Sequence, residues 1–411
     1  MKILIIQPTG DKFGHYGVHT TKLAQELAKL GHQVIVFTNK LNPYDHISEK
    51  MNFKLVEHKK HLYAFESFER NKTSSPLKYW FAYFRNSFVI TRAAFNLCKK
   101  NKFDGIYITD VEFLTSAILL KTYKDYLPKI IMQINASNFS FNEYPGNFVK
   151  KIYKVFQREI FRLAVDKEIS AFSILGSSHI ERLRSQLRLS EKFPIETIPD
   201  GSNLNSLFIK KNEARKRLGI DFKGDIFIFL GLLRRDKGLE TLAEAISFLK
   251  KKNKSFGLII AGFPFDYKTE ELVKIFDLKA SKNKIVHYRF DYIEEKEIPY
   301  YYFAADCLLL PYNNEYKGSS GPLMKGACSY NLPIIASNVS DMGLLTNKHN
   351  LGFVFQPEKP ELLASRMNDF IELSISNRKK IKLNAKKFGK MNSWHAMAKK
   401  YEEIFKELLK I

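Results

Sequence analysis

Short apolar runs alternate with longer stretches of helical spacing along most of the chain. The first run, ILII at 3–6, is continuous rather than alternating, as a parallel strand buried on both faces requires. After a loop at 7–17, the segment 18–30 puts Leu23, Leu27 and Leu30 on one helical face, and Gly31 sits where a helix should stop. VIVF at 34–37 completes a strand–helix–strand unit. The alternation continues through GIYIT (105–109), KIIMQI (129–134), a helical stretch near 148–164 and ISAFSIL (169–175). A second series opens with DIFIFL (225–230), then a helix near 239–252, FGLIIAG (256–262) and a helix near 269–276. It closes with KIVHYRF (284–290), CLLLP (307–311), LPIIAS (332–337) and LGFVF (351–355). The last segment, 393–411, is an amphipathic helix.

Strands alternating with helices predict parallel sheets covered on both faces. Two such series predict an α/β protein of two doubly wound, Rossmann-like domains, and 411 residues exceed one typical core. The turn-rich IPDGSN (198–203) marks the junction. The expected division is 1–198, with the helix at about 393–411 packing back on it, and 199–392. Ligands of such sheets bind beyond the carboxyl ends of the strands. The loops at 7–17, 110–114, 135–146, 231–238, 262–268, 288–293 and 312–321 therefore hold the candidates.

Composition adds a charge. The chain has 66 Lys and Arg against 43 Asp and Glu, a formal net charge of +23. The excess is +11 in residues 1–200 and +12 in the rest, with no basic tail. A positive protein favours anionic partners, but even spreading argues against nucleic acid, which needs a focused stripe. A Lys- and Asn-rich sequence accounts for the excess equally well. Three cysteines, Cys98, Cys307 and Cys328, lack metal-ligand spacing and suggest a reducing compartment. The start, MKILIIQPTG, has an apolar run too short for a signal peptide, and no run reaches membrane length, so a cytoplasmic location is expected.

Two loops carry candidate chemistry. GLLRRDKG (231–238) follows a strand directly and holds Arg234, Arg235 and Lys237 between Gly231 and Gly238. It reads either as a grip for a diphosphate at the start of the next helix or as a solvated basic loop. KGSSGPLMKG (317–326) places Ser319, Ser320 and Gly321 before Pro322, a residue suited to the first helical position. Ser320 or Gly321 then lies at the N-cap, where unpaired N–H groups attract an anion. A capped helix with no ligand is the other reading. Gly14 and Gly17 precede a helix but do not make G-x-G-x-x-G. In the segment 78–100, Phe81, Phe84, Phe88 and Phe95 form one helical stripe that reads as core. Tyr79, Trp80 and Tyr83, with Lys78 and Arg85, fit either a solvated face or an anionic membrane surface. His15, His19, His58, His61 and His287 show no ligand pattern, and no Ser-His-Asp order, H-E-x-x-H or Walker loop is present.

Taken in order, the segments resemble the retaining nucleotide-sugar glycosyltransferases of the large GT-B family, which includes bacterial mannosyl-, glucosyl- and N-acetylglucosaminyltransferases. LAQELAKLGHQVIVFT (23–38) is similar to that family's first helix and second strand, and IPDGSN (198–203) to its hinge segment. FLGLLRRDKGLETLAEAI (229–246) looks like its strand, basic loop and helix. YYFAADCLLLPY (301–312) and LPIIASNVSDM (332–342) look like two further strands, and the helix opened by SW (393–394) like the one that crosses back to the first domain.

The resemblance implies two domains facing across a cleft and transfer of a sugar from a UDP- or GDP-sugar to an acceptor hydroxyl, with retention and without a metal or other cofactor. Arg234 and Lys237 would hold the donor diphosphate over Gly231. Gly14 and Gly17 would let the first loop close on the donor. Ser319, Ser320 and Gly321 would cap the diphosphate or the sugar, and residues 289–292, with Arg289 and Asp291, would flank the base. Two glutamates common in the family fall on Gly318 and Gly326 when the alignment is anchored on Pro333, so both are missing. A subgroup with Ser-x-Ser-Gly here also lacks the pair, and this chain looks closer to it. Glu315 would then reach the ribose or sugar. The histidine that often follows the fourth strand is Asn135, which becomes the catalytic candidate in the first domain. The implied setting is cell-surface polysaccharide or lipid-linked glycan synthesis, in the cytoplasm or peripheral on the inner face of the plasma membrane. Partners would be a nucleotide-sugar and a glycan or lipid-linked acceptor, with no nucleic acid. The departures motivate a second reading, a catalytically silent GT-B subunit that binds a partner enzyme or a glycan.

Overall fold

The structure is a computed structural model that describes residues 1–11, 16–41, 51–58, 76–109, 112–134, 148–204, 208–251, 255–280 and 286–411. The chain divides into two compact units, Met1–Gly201 with Trp394–Ile411, and Ser202–Ser393. The first unit thus keeps residues 199–201, which the sequence reading assigned to the second domain. Asp200 is bonded to His19, and Gly201 lies against the Trp394 ring, too closely for a side chain to fit between them.

Strands β1 (Lys2–Gln7), β2 (Gln33–Thr38), β3 (Lys54–Glu57), β4 (Gly105–Ile108), β5 (Lys129–Ile134), β6 (Ala171–Ile174) and β7 (Ile195–Thr197) form the first sheet. All are parallel, in the order β3-β2-β1-β4-β5-β6-β7. Helices Pro76–Lys100, Phe113–Tyr123 and Phe148–Glu168 cover one face, around Leu4, Ile6, Ile106 and Met132. Tyr16–Lys29 and Trp394–Leu409 cover the other, around Ile3, Ile5, Tyr107 and Phe405. Alternate residues of each strand feed the two cores, which explains why the strands read as unbroken apolar runs.

The second unit repeats the plan with β8 (Ile226–Leu230), β9 (Gly257–Ala261), β10 (Val286–Arg289), β11 (Cys307–Leu310), β12 (Ile334–Ser337) and β13 (Gly352–Phe355). The order is β10-β9-β8-β11-β12-β13, again parallel. The strand order reverses between β8 and β11, and the loops after these two strands flank the crevice where such sheets bind ligands. Both units are therefore Rossmann-like. At the opposite, N-terminal end, Asp306 takes Lys211, Arg215 (2.9 Å) and the Ile226 amide (3.0 Å), so it is a structural anchor.

Two edge strands, β3 and β7, had no clear sequence signal; they are short and half-exposed. The phenylalanine stripe of the 78–100 segment needs correction. Phe95 is buried, but Phe81 is 49% exposed and Phe84 and Phe88 are half-buried. The buried side of that helix is built from small and polar residues, Ala82, Asn86, Ser87, Thr91 and Ala94, with Ile90. Close packing against neighbouring helices favours small side chains over rings. The side chains of Tyr79 and Trp80 lie outside the described residues. Cys98, Cys307 and Cys328 are buried and unbridged.

Candidate functional site

The ends of β8 and β11 bring the two singled-out loops together. Gly231 ends β8 with φ +144°, and a Cβ placed on it would stand 3.4 Å from the Pro322 ring and 3.5 Å from Lys237 Nζ. The basic loop and the start of the next helix thus meet over a glycine floor. Gly238 has φ +66°, and a Cβ there would overlap the Pro311 carbonyl oxygen, so only glycine lets the loop lie this close to the end of β11. Asn313 adds a second fastening, from its amide to Asp236 O at 3.1 Å and from Nδ2 to Arg235 O at 3.3 Å.

The three cations of this loop have different surroundings. Arg235 turns out to Glu271 at 2.7 Å and packs over the Tyr267 ring. Arg234 is gripped by Asp236, at 3.0 Å from Nε and 2.5 Å from Nη2, with its guanidinium 5.8 Å from the Tyr316 ring. Lys237 turns inward and is only 7% exposed. Its ammonium stands 5.4 Å from the Tyr312 ring and has no ion pair or hydrogen bond among the described residues. Burial, reinforced by the like charge of Arg234, pulls its pKa down to about 8. A cation buried without an anion raises the question of what pairs with it.

The facing helix starts at Gly321 and passes from Gly321–Met324 directly into a π-helical stretch, Lys325–Ser329. Ser320 is the N-cap, its hydroxyl accepting from Leu323 N at 3.2 Å. Among the described residues no acceptor takes the N–H of Ser320 or Gly321. A Cβ on Gly321 would meet nothing within 4 Å, so the helix start opens onto free space. The preceding loop is held by Tyr316 OH donating to Ser319 O at 2.7 Å and Ser340 Oγ donating to Gly318 O at 2.9 Å. Gly326 is packed in the core, and a Cβ there would come within 2.5 Å of Leu308 Cδ2.

The other candidates stand differently. Arg289 ends β10, but its guanidinium is held by Glu297 at 3.0 and 3.1 Å and faces a cavity of about 500 Å³ along this edge strand, with Arg217, Tyr288 and Tyr300. Asp291 accepts from Tyr292 N at 2.7 Å and is exposed. Glu315 is exposed, with its backbone N–H bonded to Asn313 Oδ1 at 3.0 Å. Gly17 is buried in the first turn of its helix, its carbonyl accepting from Thr21 Oγ1 at 2.8 Å. Gly14 and Asn135 lie outside the described residues.

The first unit holds a polar layer that the sequence reading missed. Thr38, Gln7, Thr109, Gln133 and Ser173 sit side by side at the carboxyl ends of β2, β1, β4, β5 and β6, all buried. Thr109 Oγ1 donates to Gln133 Oε1 at 2.5 Å, and Tyr107 OH donates to the same oxygen at 2.9 Å. Tyr401 OH reaches Tyr107 OH and Ser173 Oγ, both at 3.1 Å. His19 joins the layer to the junction, with Nε2 3.0 Å from Tyr107 OH and Nδ1 2.7 Å from Asp200. Burial raises the Tyr401 hydroxyl to about 12 and Tyr107 further, so both stay neutral donors. Among the described residues, the Nε2 atoms of Gln7 and Gln133 are buried with no hydrogen-bond partner. The available signal was the polar residue that closes several apolar runs: ILIIQ, VIVFT and GIYIT.

Comparison with known proteins fits this geometry. Two parallel-sheet Rossmann-like units are the architecture of GT-B glycosyltransferases, and residues 210–388 match the family described as Glycosyl transferases group 1. That match spans β8 to β13 and both loops of the glycine-floored site. The chain is 24% identical over 232 residues to the putative teichuronic acid biosynthesis glycosyltransferase TuaC of Bacillus subtilis. The match covers 56% of this chain and 52% of that protein, so it spans about half the length of that relative. A glycosyltransferase from Rickettsia africae shares the fold over 100% of this chain and 98% of its own, with a TM-score of 0.73 and 18% identity. HepE of Anabaena in complex with UDP does so over 99% and 100%, with a TM-score of 0.70 and 14% identity. Among the described residues no three His, Cys, Asp or Glu side chains gather as a metal-binding group.

Proposed function

We propose that the chain is a glycosyltransferase that moves a sugar from a nucleoside diphosphate sugar to an acceptor hydroxyl, in polysaccharide or lipid-linked glycan synthesis. The observation that carries this is Lys237, a buried ammonium with no ion pair among the described residues, beside the open N-terminus of the Gly321 helix. The difficult event in such a transfer is departure of the diphosphate. Lys237 and the N–H groups of Ser320 and Gly321 are fixed charges and dipoles suited to that developing charge, and they need no reorganisation when it forms. Arg234, tied to Asp236, adds a second cation at the rim. This grip fits a metal-independent reaction with retention, as the resemblance implies. UDP and UDP-glucose occupy the solved HepE structures, which makes a UDP-sugar the first donor to try. The first unit is assigned the acceptor side, where a neutral polar layer suits a hydroxyl-rich partner.

One observation favours the second reading, a silent subunit. Gly326 is pressed against Leu308, so the chain has no space where the family often places a glutamate. A silent subunit, however, has no need of a buried lysine, whose desolvation opposes folding. A thermal-shift panel of UDP, GDP, ADP, TDP and CMP with their common sugars separates the two. Ligand at 100 times its Kd adds about 2.7 kcal/mol of stability. A shift with one nucleotide, absent in Lys237→Ala, supports the transferase; no shift with any nucleotide supports the silent subunit.

A further inference from the structure

A second concave site of the second unit lies away from the Lys237 crevice. Strand β10 is the outermost of its sheet, and two strand spacings, about 10 Å, separate it from β8. Beside β10 is the cavity of about 500 Å³, within the usual range of about 300–1,000 Å³ for small-molecule pockets. Three elements wall it: β10 with His287, Tyr288 and Arg289, the end of the Lys211–Arg217 helix with Arg217, and the start of the Ile298–Ala304 helix with Glu297 and Tyr300. The two helices pack on each other. Arg289 uses Nη1 for both Glu297 oxygens, at 3.0 and 3.1 Å, and its Nε and Nη2 have no hydrogen bond among the described residues. Lys296, also at the wall, is paired with Glu294 at 2.6 Å. Arg217 has no ion pair among the described residues, and its guanidinium stands 5.9 Å from the centre of the Tyr300 ring. Burial pulls the His287 imidazole below its ordinary value, so it is neutral at pH 7 and adds a donor and an acceptor rather than a charge. Tyr288 is 38% exposed and is steadied by stacking on Phe290, with centroids 4.9 Å apart and planes at 15°.

We infer that this cavity is a second saccharide site, which holds about one or two pyranose units of an anionic glycan with a sugar carboxylate at Arg217. Tyrosine rings offer flat apolar faces with a polar tip, which suit the C–H face of a pyranose bordered by hydroxyls. The remaining nitrogens of Arg289 and the Glu297 carboxylate supply donors and acceptors side by side. Vicinal sugar hydroxyls need both, because each hydroxyl donates and accepts. One unpaired cation matches one carboxylate. A nucleoside diphosphate calls for more positive charge than remains, since Arg289 and Lys296 are already matched by Glu297 and Glu294. The cavity thus differs in kind from the crevice of Lys237. It also draws Arg289 away from the base-flanking role that the family resemblance implied. The inference concerns binding alone and does not require that the chain transfers a sugar.

The test is ligand-observed NMR of the full chain, with methyl glucuronide and methyl glucoside as probes. Wild type should bind both, the glucuronide about tenfold more tightly, as one hydrogen bond to a charged group provides. Arg217→Ala should erase that preference and keep the glucoside within about twofold; Arg217 is exposed, so its loss leaves the fold in place. Tyr288→Ala should weaken both probes about fivefold. Excess UDP should displace neither probe, and Lys237→Ala should bind both as wild type does. Absence of binding by either probe overturns the inference, as does an unchanged preference in Arg217→Ala. Displacement by UDP, or loss of both probes in Lys237→Ala, places them in the donor crevice and overturns it equally. Probe binding that follows Arg217 and Tyr288 in a protein that binds no nucleotide would uphold this site and count against the proposed function alone.

Discussion

The strand ends of the two sheets share one topology and differ in chemistry. In the second unit, the ends of β8 and β11 frame a buried charge, Lys237, beside an open helix N-terminus. In the first, the ends of β4, β5 and β6 carry neutral amides and hydroxyls tied together by hydrogen bonds, with the Gln7 and Gln133 Nε2 atoms left over. A buried cation is costly unless an anion completes it, whereas a hydrogen-bonded neutral layer is stable by itself. The second region is therefore the one we propose for a charged ligand. The first, under the proposed function, would meet the hydroxyl-rich acceptor.

The largest expected effect is at Lys237. Lys237→Ala should lower donor turnover by about 100- to 1,000-fold, the usual cost of losing one preorganised donor. Its melting temperature without ligand should not fall, because an unpaired buried charge is removed; normal turnover would remove the diphosphate assignment. Next is Gly238→Ala, which puts a Cβ into Pro311 O at φ +66° and should cost at least about 2 kcal/mol in a denaturant titration. Gly321→Val should reduce nucleotide affinity about tenfold or more by crowding the helix start, yet leave stability within about 0.5 kcal/mol, since its Cβ meets nothing. Unchanged affinity would make that turn a plain cap. Tyr401→Phe, in the neutral layer, should cost only about 1 kcal/mol and leave nucleotide affinity untouched. A loss of affinity there would erase the distinction between the two regions.

Acidity sharpens the contrast. Lys237 has a folded-state pKa near 8 against an ordinary 10.5. Between these values the unfolded chain holds the proton and the folded chain releases it. Lys237 thus makes the ligand-free protein gain stability as pH rises through that window. Diphosphate binding needs the charged lysine, so affinity should fall as pH rises above about 8. The two trends have opposite signs, and the neutral layer contributes neither.

Much of this was legible in the sequence. Unbroken apolar runs gave the central strands because both faces of each sheet are covered, while β3 and β7 were silent because edge strands bury little. Both loops of the second unit were visible through Gly231, Gly238 and Ser320, whose backbone roles demand particular residues. What spacing did not reveal was which cation turns inward. Arg234, Arg235 and Lys237 look equivalent on paper, and only Asp236, Glu271 and the Tyr312 ring sort them. The first unit's layer was missed because it joins residues up to 294 apart, such as Tyr107 and Tyr401, with no local pattern. The Phe81 to Phe95 stripe misled because ring spacing alone does not say which side of a helix faces the core.

The most direct test is calorimetric titration of UDP, and then the other nucleoside diphosphates, into wild type and Lys237→Met at about pH 8.5, in two buffers of different ionisation enthalpy. The account predicts that one nucleotide binds wild type with uptake of a fraction of a proton, as Lys237 recharges, and that the methionine variant loses both the affinity and the uptake. Equal affinity in the two proteins, or binding without proton uptake, would contradict the placement of the diphosphate at Lys237.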